Sequence, residues 1–178
     1  MATNFQFIKS ASTTTAVTSL DLTDVFSAHY DKYFLSIPNY DATGTGAGSY
    51  PDIAFRFLKA SDGSADTTAN YDYANRLFNL TAGYSDVNNT GQTSFICGAT
   101  GTTDARNGGI TMFIYKPFDS SYTYTSSQTA IYYASGNYPL TYRGISVHKV
   151  AQSNSGIQLQ LGVDYCTVEM FGVLWVEV

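Results

Sequence analysis

Apolar and polar residues alternate with a period of two along much of the chain. In the segment GIQLQLGV, Ile157, Leu159 and Leu161 fall on one face of an extended strand, whereas Gln158 and Gln160 fall on the other. This alternation is typical of a half-buried β-strand, because successive side chains of a strand point to opposite faces of the sheet. The pattern recurs often enough to predict about nine strands.

The predicted strands are separated by turn signals rich in Gly, Asn, Asp and Pro. SDGSAD, at residues 61–66, is one of these signals, since Gly adopts positive φ readily and Asp hydrogen-bonds to its own backbone. Residues 23–30 are the segment with the composition of a helical turn or two. The predicted strands include NFQFIKS, TTTAVTSLDL, KYFLSI, DIAFRFLKA, TSFICGA, GITMFIYK, TAIYYAS, RGISVHKV, GIQLQLGV and the apolar TVEMFGVLWVEV.

Many short strands with polar turns predict an all-β fold. We expect a two-sheet antiparallel sandwich of about nine strands, jelly-roll-like, with the open immunoglobulin-type sandwich as the alternative. The strand GITMFIYK is apolar on both faces, which predicts a central strand or one covered by a neighbouring subunit. No repeat or shift in composition marks a linker, so residues 1–178 are predicted to form a single β-sandwich domain.

Composition and charge restrict the partners. The 178 residues are 13% charged, with a formal net charge of −5. This balance argues against nucleic acid, because Lys and Arg supply most of the affinity for phosphates. The longest strongly apolar run, residues 170–176, is far shorter than the ~20 residues a membrane-spanning helix needs. We therefore expect neither nucleic acid nor a membrane as a partner.

The N-terminal segment and the two cysteines favour synthesis inside a cell. MATNFQFIKS lacks the charged start and the apolar core of a secretory signal peptide. Cys97 and Cys166 lie in apolar surroundings, which favours two small buried hydrophobic residues, with a disulfide between them as the alternative. Cytoplasmic synthesis without a signal peptide is the expectation.

Catalytic patterns are weak in this sequence. Glu169 and Glu177 lie about 27 Å apart along one predicted strand at ~3.4 Å per residue, whereas a glycosidase pair needs roughly 5 to 9.5 Å. His29 and His148 show no metal-binding spacing, and no serine lies in a nucleophile-elbow motif. The sequence therefore predicts no enzyme, no catalytic residue, no metal and no cofactor, although Asp21, Asp24 and Asp164 leave carboxylates formally available.

The turn SDGSAD also raises the question of calcium. Asp62, Ser64 and Asp66 alternate oxygen-bearing side chains as in the start of a calcium loop, but the later Gly and bidentate Glu of an EF-hand are missing. A tight Asp-Gly turn explains the same residues without an ion. We favour the turn.

A Tyr-rich stretch, residues 120–144, is the candidate interaction surface. Its tyrosines lie among small polar residues, and Arg143 is the charged residue of the stretch. Tyr covers apolar area and keeps a hydroxyl for hydrogen bonding, which suits subunit contacts and sugar stacking. Aromatic pairing within one domain is the structural alternative. The candidate residues are Tyr122, Tyr124, Tyr132, Tyr133, Tyr138 and Tyr142.

Four segments carry the pattern of a known family: AHYDKYFLSIPNY, DIAFRFLKASDGSADTTANYDYA, RGISVHK and MFGVLWVEV. With these segments, roughly residues 24–178 resemble the small all-β structural proteins of tailed bacteriophages, especially those of marine and cyanobacterial hosts. Trp175 is followed by Val176, whereas the family ending often has Gly after the aromatic residue. The family comprises capsid decoration (cement) proteins and parts of tail fibres and knobs.

The resemblance implies a non-enzymatic virion structural protein, usually a homotrimer. Capsid decoration through protein–protein contacts with the major capsid protein or another virion protein is the expected function. The alternative is a tail-fibre, knob or receptor-binding module that recognises host-surface carbohydrate, and a jelly-roll glycosidase or lyase is the third possibility. The expected location is the virion, after synthesis in the host cytoplasm.

Overall fold

The computed structural model describes an all-β protein. It describes residues 2–15, 17–41, 52–80, 83–99, 108–133, 138–163 and 165–176. In this part of the chain there is no helix, and so none that could cross a bilayer. The described strands are β1 (Ala2–Thr13), β2 (Val17–Leu22), β3 (Lys32–Asp41), β4 (Asp52–Lys59), β5 (Tyr71–Asn79), β6 (Gly83–Gln92), β7 (Phe95–Ala99), β8 (Gly108–Tyr115), β9 (Thr123–Tyr133), β10 (Tyr138–His148), β11 (Asn154–Val163) and β12 (Tyr165–Val176).

The strands form two antiparallel sheets. The larger sheet has the order β1-β12-β3-β8-β9-β10-β5-β6, and the smaller sheet has the order β2-β11-β4-β7. Four of the strand pairs are nested in sequence, as expected when one long hairpin folds over into two sheets. These pairs are β1·β12, β2·β11, β3·β8 and β4·β7. This is the jelly-roll order. The predicted all-β, two-sheet sandwich is confirmed, with twelve strands in the described residues rather than about nine.

Two hairpins extend the larger sheet beyond the jelly roll. The β5–β6 hairpin lies between β4 and β7 in sequence, and the β9–β10 hairpin lies between β8 and β11. Both add to the sheet beyond β8, so four further strands lie beside the jelly-roll half. The sequence prediction missed β5 and β6. In β6, Val87 is the half-buried apolar residue of an otherwise polar and mostly exposed edge strand, so no apolar alternation marked it.

The main core lies between the two sheets. Phe55 and Phe57 of the smaller sheet and Leu35 and Ile110 of the larger sheet are all fully or almost fully buried. A second, smaller cluster lies on the inner side of the added hairpins and contains Leu77, Ile131, Leu140 and Tyr142. Burial of these side chains supplies the main driving force for folding.

Hydrogen bonds in the interior also join the sheets. The Asn75 amide of β5 donates to the Ile96 carbonyl of β7 over 2.7 Å. The Thr129 hydroxyl of β9 donates to the Cys97 carbonyl over 2.8 Å. Cys97 is buried as predicted, whereas the side chain of Cys166 lies outside the described residues. The alternative of a disulfide between them is therefore untested.

Two strongly apolar strands are interior strands of the larger sheet. β8 lies between β3 and β9, and β12 lies between β1 and β3. Ile110, Met112 and Ile114 of β8 point into the core. The prediction that GITMFIYK is a central strand is therefore confirmed by its place in the sheet, and its inner face is buried in the core.

Residues 23–30 form a loop and not the helical turn that their composition suggested. The amide groups of Val25 and Phe26 both donate to the carbonyl of Ser155, over 2.9 and 3.0 Å. The Phe26 ring packs edge-on against Tyr33 with 4.9 Å between ring centroids. Because tertiary partners satisfy these amides and bury these side chains, the segment needs no helical hydrogen bonds.

Candidate functional site

The outer face of the eight-stranded sheet carries the candidate functional surface. The inner face packs on the smaller sheet, so alternate side chains along each strand point away from the core. The register places Phe7 of β1 opposite Phe171 of β12, Phe171 opposite Phe34 of β3, and Phe34 opposite Phe113 of β8. Four phenylalanines thus form one row across four neighbouring strands.

The row and the adjacent Phe5 form a continuous aromatic surface, which we call the phenylalanine face. Phe34 contacts Phe5, Phe113 and Phe171, with centroid distances of 5.5, 5.2 and 6.1 Å. Phe7 meets Phe171 edge-on at 5.6 Å. These tilted and edge-on contacts are favourable aromatic geometries.

The phenylalanine face is accessible to a partner. Phe5 and Phe7 are 52% and 55% exposed, and Phe34, Phe113 and Phe171 are half-buried. The ammonium group of Lys32 lies 4.1 Å from the centre of the Phe113 ring, in cation–π contact. Contiguous exposed aromatic surface is uncommon on a soluble monomer and usually marks an interaction site.

A second feature lies on the same outer face, over the added hairpins. Strands β5, β6, β8, β9 and β10 form an open trough of about 790 Å³. Tyr115, Tyr124 and Ile145 supply its apolar lining, and Asp72 and Asn88 lie on the side formed by β5 and β6. The Tyr115 hydroxyl lies 3.2 Å from the Ser126 hydroxyl, within hydrogen-bond distance.

The structure divides the predicted tyrosine surface between different environments. Tyr122 and Tyr124 are 47% and 53% exposed beside the trough. Tyr138 is half-buried and packs on the second core cluster. Tyr142 is only 3% exposed and belongs to that cluster, so it cannot line an outer surface.

Tyr132 and Tyr133 lie in β9, but their side chains fall outside the described residues. The six candidate tyrosines therefore do not form a single described surface. Their separation follows from strand position, because Tyr124 falls at an outward position of β9 whereas Tyr138 and Tyr142 fall at inward positions of β10.

Sequence reasoning missed both the phenylalanine face and most of the trough. The outward residues Phe113 and Tyr115 were noticed as the second apolar face of GITMFIYK, which was a usable signal. Phe5 and Phe7 alternate with Asn4 and Gln6, but all four residues are exposed, because β1 is the edge strand. Alternation alone could not assign these two phenylalanines to an outer face.

Inside the sandwich, His148 and Asp66 form a buried polar pair. The His148 Nε2 atom lies 2.9 Å from Asp66 Oδ2, and both side chains are almost completely buried. The imidazole stacks on Tyr71, with 4.5 Å between ring centroids. The Tyr71 hydroxyl donates to the Asp66 backbone carbonyl over 3.1 Å.

The surroundings of the pair favour a neutral imidazole beside a carboxylate. Burial lowers the pKa of His148, and this effect outweighs the opposing hydrogen bond that His148 donates to Asp66. Burial is also the largest influence on Asp66 and would raise its pKa, but hydrogen bonds from Thr68 and His148 together hold that pKa below its usual value. Because the pair is shielded from solvent, we interpret it as structural.

The remaining catalytic and metal candidates are dispersed. Glu169 is half-buried on β12, Asp21 accepts a hydrogen bond from Gln158 over 2.9 Å, and His29 is exposed. Glu177 and Asp164 lie outside the described residues. Within the described ranges, no group of three or more His, Cys, Asp or Glu side chains is arranged to hold a metal ion.

Hydrogen bonds within the protein account for the two carboxylates of the SDGSAD turn without a calcium ion. The amide and hydroxyl of Ser64 donate to Asp62 over 2.9 and 2.8 Å, and these bonds lower the pKa of Asp62. Gly63 adopts a positive φ of 70°, and its amide donates to the Lys59 carbonyl over 2.9 Å. Asp66 is instead directed to His148. The two aspartates therefore serve different parts of the fold, in agreement with a tight turn.

Comparisons with known proteins assign no family. No protein-family model matches the chain, and no curated protein is similar enough to count as a relative. The geometry of the outer sheet face therefore carries the functional interpretation.

Proposed function

We propose that this chain is a non-enzymatic structural protein of a tailed-phage virion that decorates the capsid through protein–protein contacts. The sequence resemblance to small all-β phage proteins supports the phage assignment. The jelly-roll sandwich is compatible with it but does not distinguish it, since this fold serves many functions. The observation that carries the structural role is the phenylalanine face.

The phenylalanine face suits a permanent protein contact better than free solvent. Removing apolar area from water contributes about 25 cal/mol per Å², and aromatic residues near the centre of an interface contribute most of the binding energy. The ammonium group of Lys32 beside this face is already placed over the Phe113 ring. That charge is therefore engaged within the chain, and Glu169, two residues before Phe171, is the carboxylate on the same face of β12.

We assign the phenylalanine face to contact between copies of this chain, as a homotrimer. Strand β1 is an edge of the eight-stranded sheet and carries the two most exposed phenylalanines of the face, Phe5 and Phe7. Edge strands and apolar faces both favour association with another chain. In a trimer the face of one subunit meets a different surface of the next, because a threefold contact is heterologous. The trimer then attaches to the major capsid protein or another virion protein.

The first experiment measures oligomeric state by size-exclusion chromatography with light scattering. We expect a trimer for the natural chain at micromolar concentration and a monomer for the double variant Phe5→Ser, Phe7→Ser. Phe78→Ser is the matched control, because Phe78 is 41% exposed on β5, outside the phenylalanine face. This control should remain trimeric. Equal dissociation of the control and the double variant would show that the phenylalanine face does not form the contact between subunits.

The second experiment tests the virion location by quantitative mass spectrometry of particles purified from a phage lysate of the source culture. We expect the chain in the purified virions, at a fixed ratio to the major capsid protein, and not in the cell debris of the lysate. A chain that is monomeric in solution and absent from purified particles would overturn the proposed function.

A further inference from the structure

The trough continues along the sheet in both directions. A depression lined by Tyr115, Tyr122 and Tyr124 adjoins one end, and a depression lined by Gln128 and Arg143 adjoins the other. Both share lining residues with the central trough. Along β9, the distance from position 122 to position 128 is about 20 Å at ~3.4 Å per residue. The feature is therefore an elongated, open-ended channel and not a closed pocket.

The rings at one end of the trough are available for stacking. Tyr122 and Tyr124 are about half exposed, and Tyr115 lies beside Tyr124 in the strand register. Tyr combines an apolar ring face with a hydroxyl group. The apolar C–H face of a sugar ring fits such a surface, while its hydroxyl groups need hydrogen-bond partners at the edges.

Hydrogen-bonding side chains occupy those edges. Ser126 and Gln128 follow Tyr124 on the outward face of β9, and Asn88 lies on the β6 side. Hydroxyl and amide groups both donate and accept, as the hydroxyl groups of a sugar do. A peptide strand would instead pair with the free edge of a sheet, whereas this trough lies on the outer face of the sheet, across β5, β6, β8, β9 and β10.

The charges on the β5–β6 side of the trough are paired within the protein, whereas Arg143 at one end has no ion pair among the described residues. Asp72 lies 2.8 Å from the Lys149 ammonium and accepts the Gly91 amide over 2.8 Å. Arg76 pairs with Asp86 over 2.8 Å. The hydrogen bonds from Lys149 and Gly91 lower the pKa of Asp72, so it remains a carboxylate and is unsuited to protonate a leaving group. The paired β5–β6 side favours an uncharged ligand that is bound without being cleaved.

We propose that the trough binds a linear, neutral oligosaccharide, with sugar rings stacked on Tyr122 and Tyr124 and hydroxyl groups bonded to Ser126, Gln128 and Asn88. The open ends allow the middle of a longer chain to bind. The proposal is independent of the virion assignment, and the site adjoins the phenylalanine face at Phe113, which lines the depression at one end of the trough. It gives the protein a carbohydrate-recognition surface alongside its assembly surface.

The test begins with a microbial and plant glycan array, followed by calorimetry with the hexasaccharide that binds best. We expect the hexasaccharide to bind more tightly than the disaccharide of the same sugar, because the trough is elongated. Tyr124→Ala should weaken binding by about fivefold or more, the equivalent of ~1 kcal/mol of lost stacking. Thermal melting of this variant should be nearly unchanged, because Tyr124 is exposed.

The matched control is Tyr84→Ala, since Tyr84 is 68% exposed on β6 outside the trough. Its glycan affinity should equal that of the natural chain. The variant Phe5→Ser, Phe7→Ser should also keep glycan binding, so failure of assembly and failure of recognition are distinguishable. An array without bound glycan, or equal weakening by Tyr124→Ala and Tyr84→Ala, would overturn the carbohydrate site.

Discussion

His148 and Asp66 face each other in the buried interior, with 2.9 Å between His148 Nε2 and Asp66 Oδ2. The second ring nitrogen, His148 Nδ1, is buried and has no hydrogen-bond partner in the described part of the chain. A neutral ring with its proton on Nε2 satisfies the carboxylate and leaves Nδ1 as an unpaired acceptor. Protonation would place an unsatisfied N–H donor at Nδ1, which is costly in a buried position.

This pair predicts that the protein loses stability as pH falls from about 7.5 to 5. The folded-state pKa of His148 lies below its ordinary value of 6.5, so the unfolded chain binds the proton more readily. The loss begins near that value and has a maximum slope of about 1.4 kcal/mol per pH unit for one proton. Urea unfolding at several pH values measures the slope.

Two replacements separate this effect from other titrations. His148→Gln keeps a donor towards Asp66 but cannot titrate, so the slope between pH 7.5 and 5 should decrease. His29→Gln is the matched control, because it replaces the exposed histidine of the chain and leaves the buried pair intact. Below the ordinary Asp pKa of 3.8, a further loss is expected in every variant, since Asp66 has a lowered folded-state pKa and must be protonated. A slope that persists in His148→Gln would refute this assignment.

The buried amide of Asn75 should be necessary for the contact between the sheets. Asn75→Ala removes this donor from the carbonyl of the half-buried Ile96, and we expect a loss of about 0.5–1.5 kcal/mol in the free energy of unfolding. Asn88→Ala, at an exposed position on β6, should cost little. Chemical denaturation of the two variants measures the difference, and similar stabilities would show that the inter-sheet bond contributes nothing.

Tyr142 and Tyr122 should behave oppositely although both belong to the Tyr-rich stretch. Tyr142→Ala removes a buried ring from the second core cluster, and we expect a cost of about 3–5 kcal/mol. Tyr122→Ala should change stability by less than about 0.5 kcal/mol, because Tyr122 is 47% exposed. Differential scanning calorimetry provides the comparison. A stable Tyr142→Ala variant would contradict the burial of this ring.

Met170 should show how strongly β12 anchors the sandwich. Its side chain is completely buried in the main core, so Met170→Ala should cost about 2–5 kcal/mol. The neighbouring Glu169→Ala, at a half-buried position on the opposite face, should have a much smaller effect. Thermal melting of both variants tests the prediction. Equal melting temperatures would mean that the strand is peripheral.

The half-buried apolar strands were predictable from sequence because one face of each strand packs on the core and the other face meets water. Ile157 and Leu159 are both 1% exposed, as their alternation with Gln158 and Gln160 indicated. The interior position of GITMFIYK was predictable for a different reason, because both of its faces are apolar. Strand alternation is local physics, since it depends only on the geometry of an extended chain.

The first half of β9, whose inner face is polar, escaped this reasoning, although the predicted strand TAIYYAS marked its second half. The inner face of β9 carries Thr123, Thr125, Ser127 and Thr129, all buried. The Thr125 and Ser146 hydroxyl groups bond to each other, and Thr129 bonds to the Cys97 carbonyl. Partners distant in sequence satisfy these hydroxyl groups, so nothing within the segment SSYTYTSSQ distinguished a buried strand from an exposed one.

The sequence by itself therefore determined the fold class, the central strands and the aromatic, weakly charged composition of this protein. Only the tertiary structure decided which aromatic residues share a surface. Phe7, Phe171, Phe34 and Phe113 come from four separate segments and meet through strand register. The physical reason is that hydrophobic alternation fixes the two faces of each strand, whereas long-range pairing fixes which strands become neighbours.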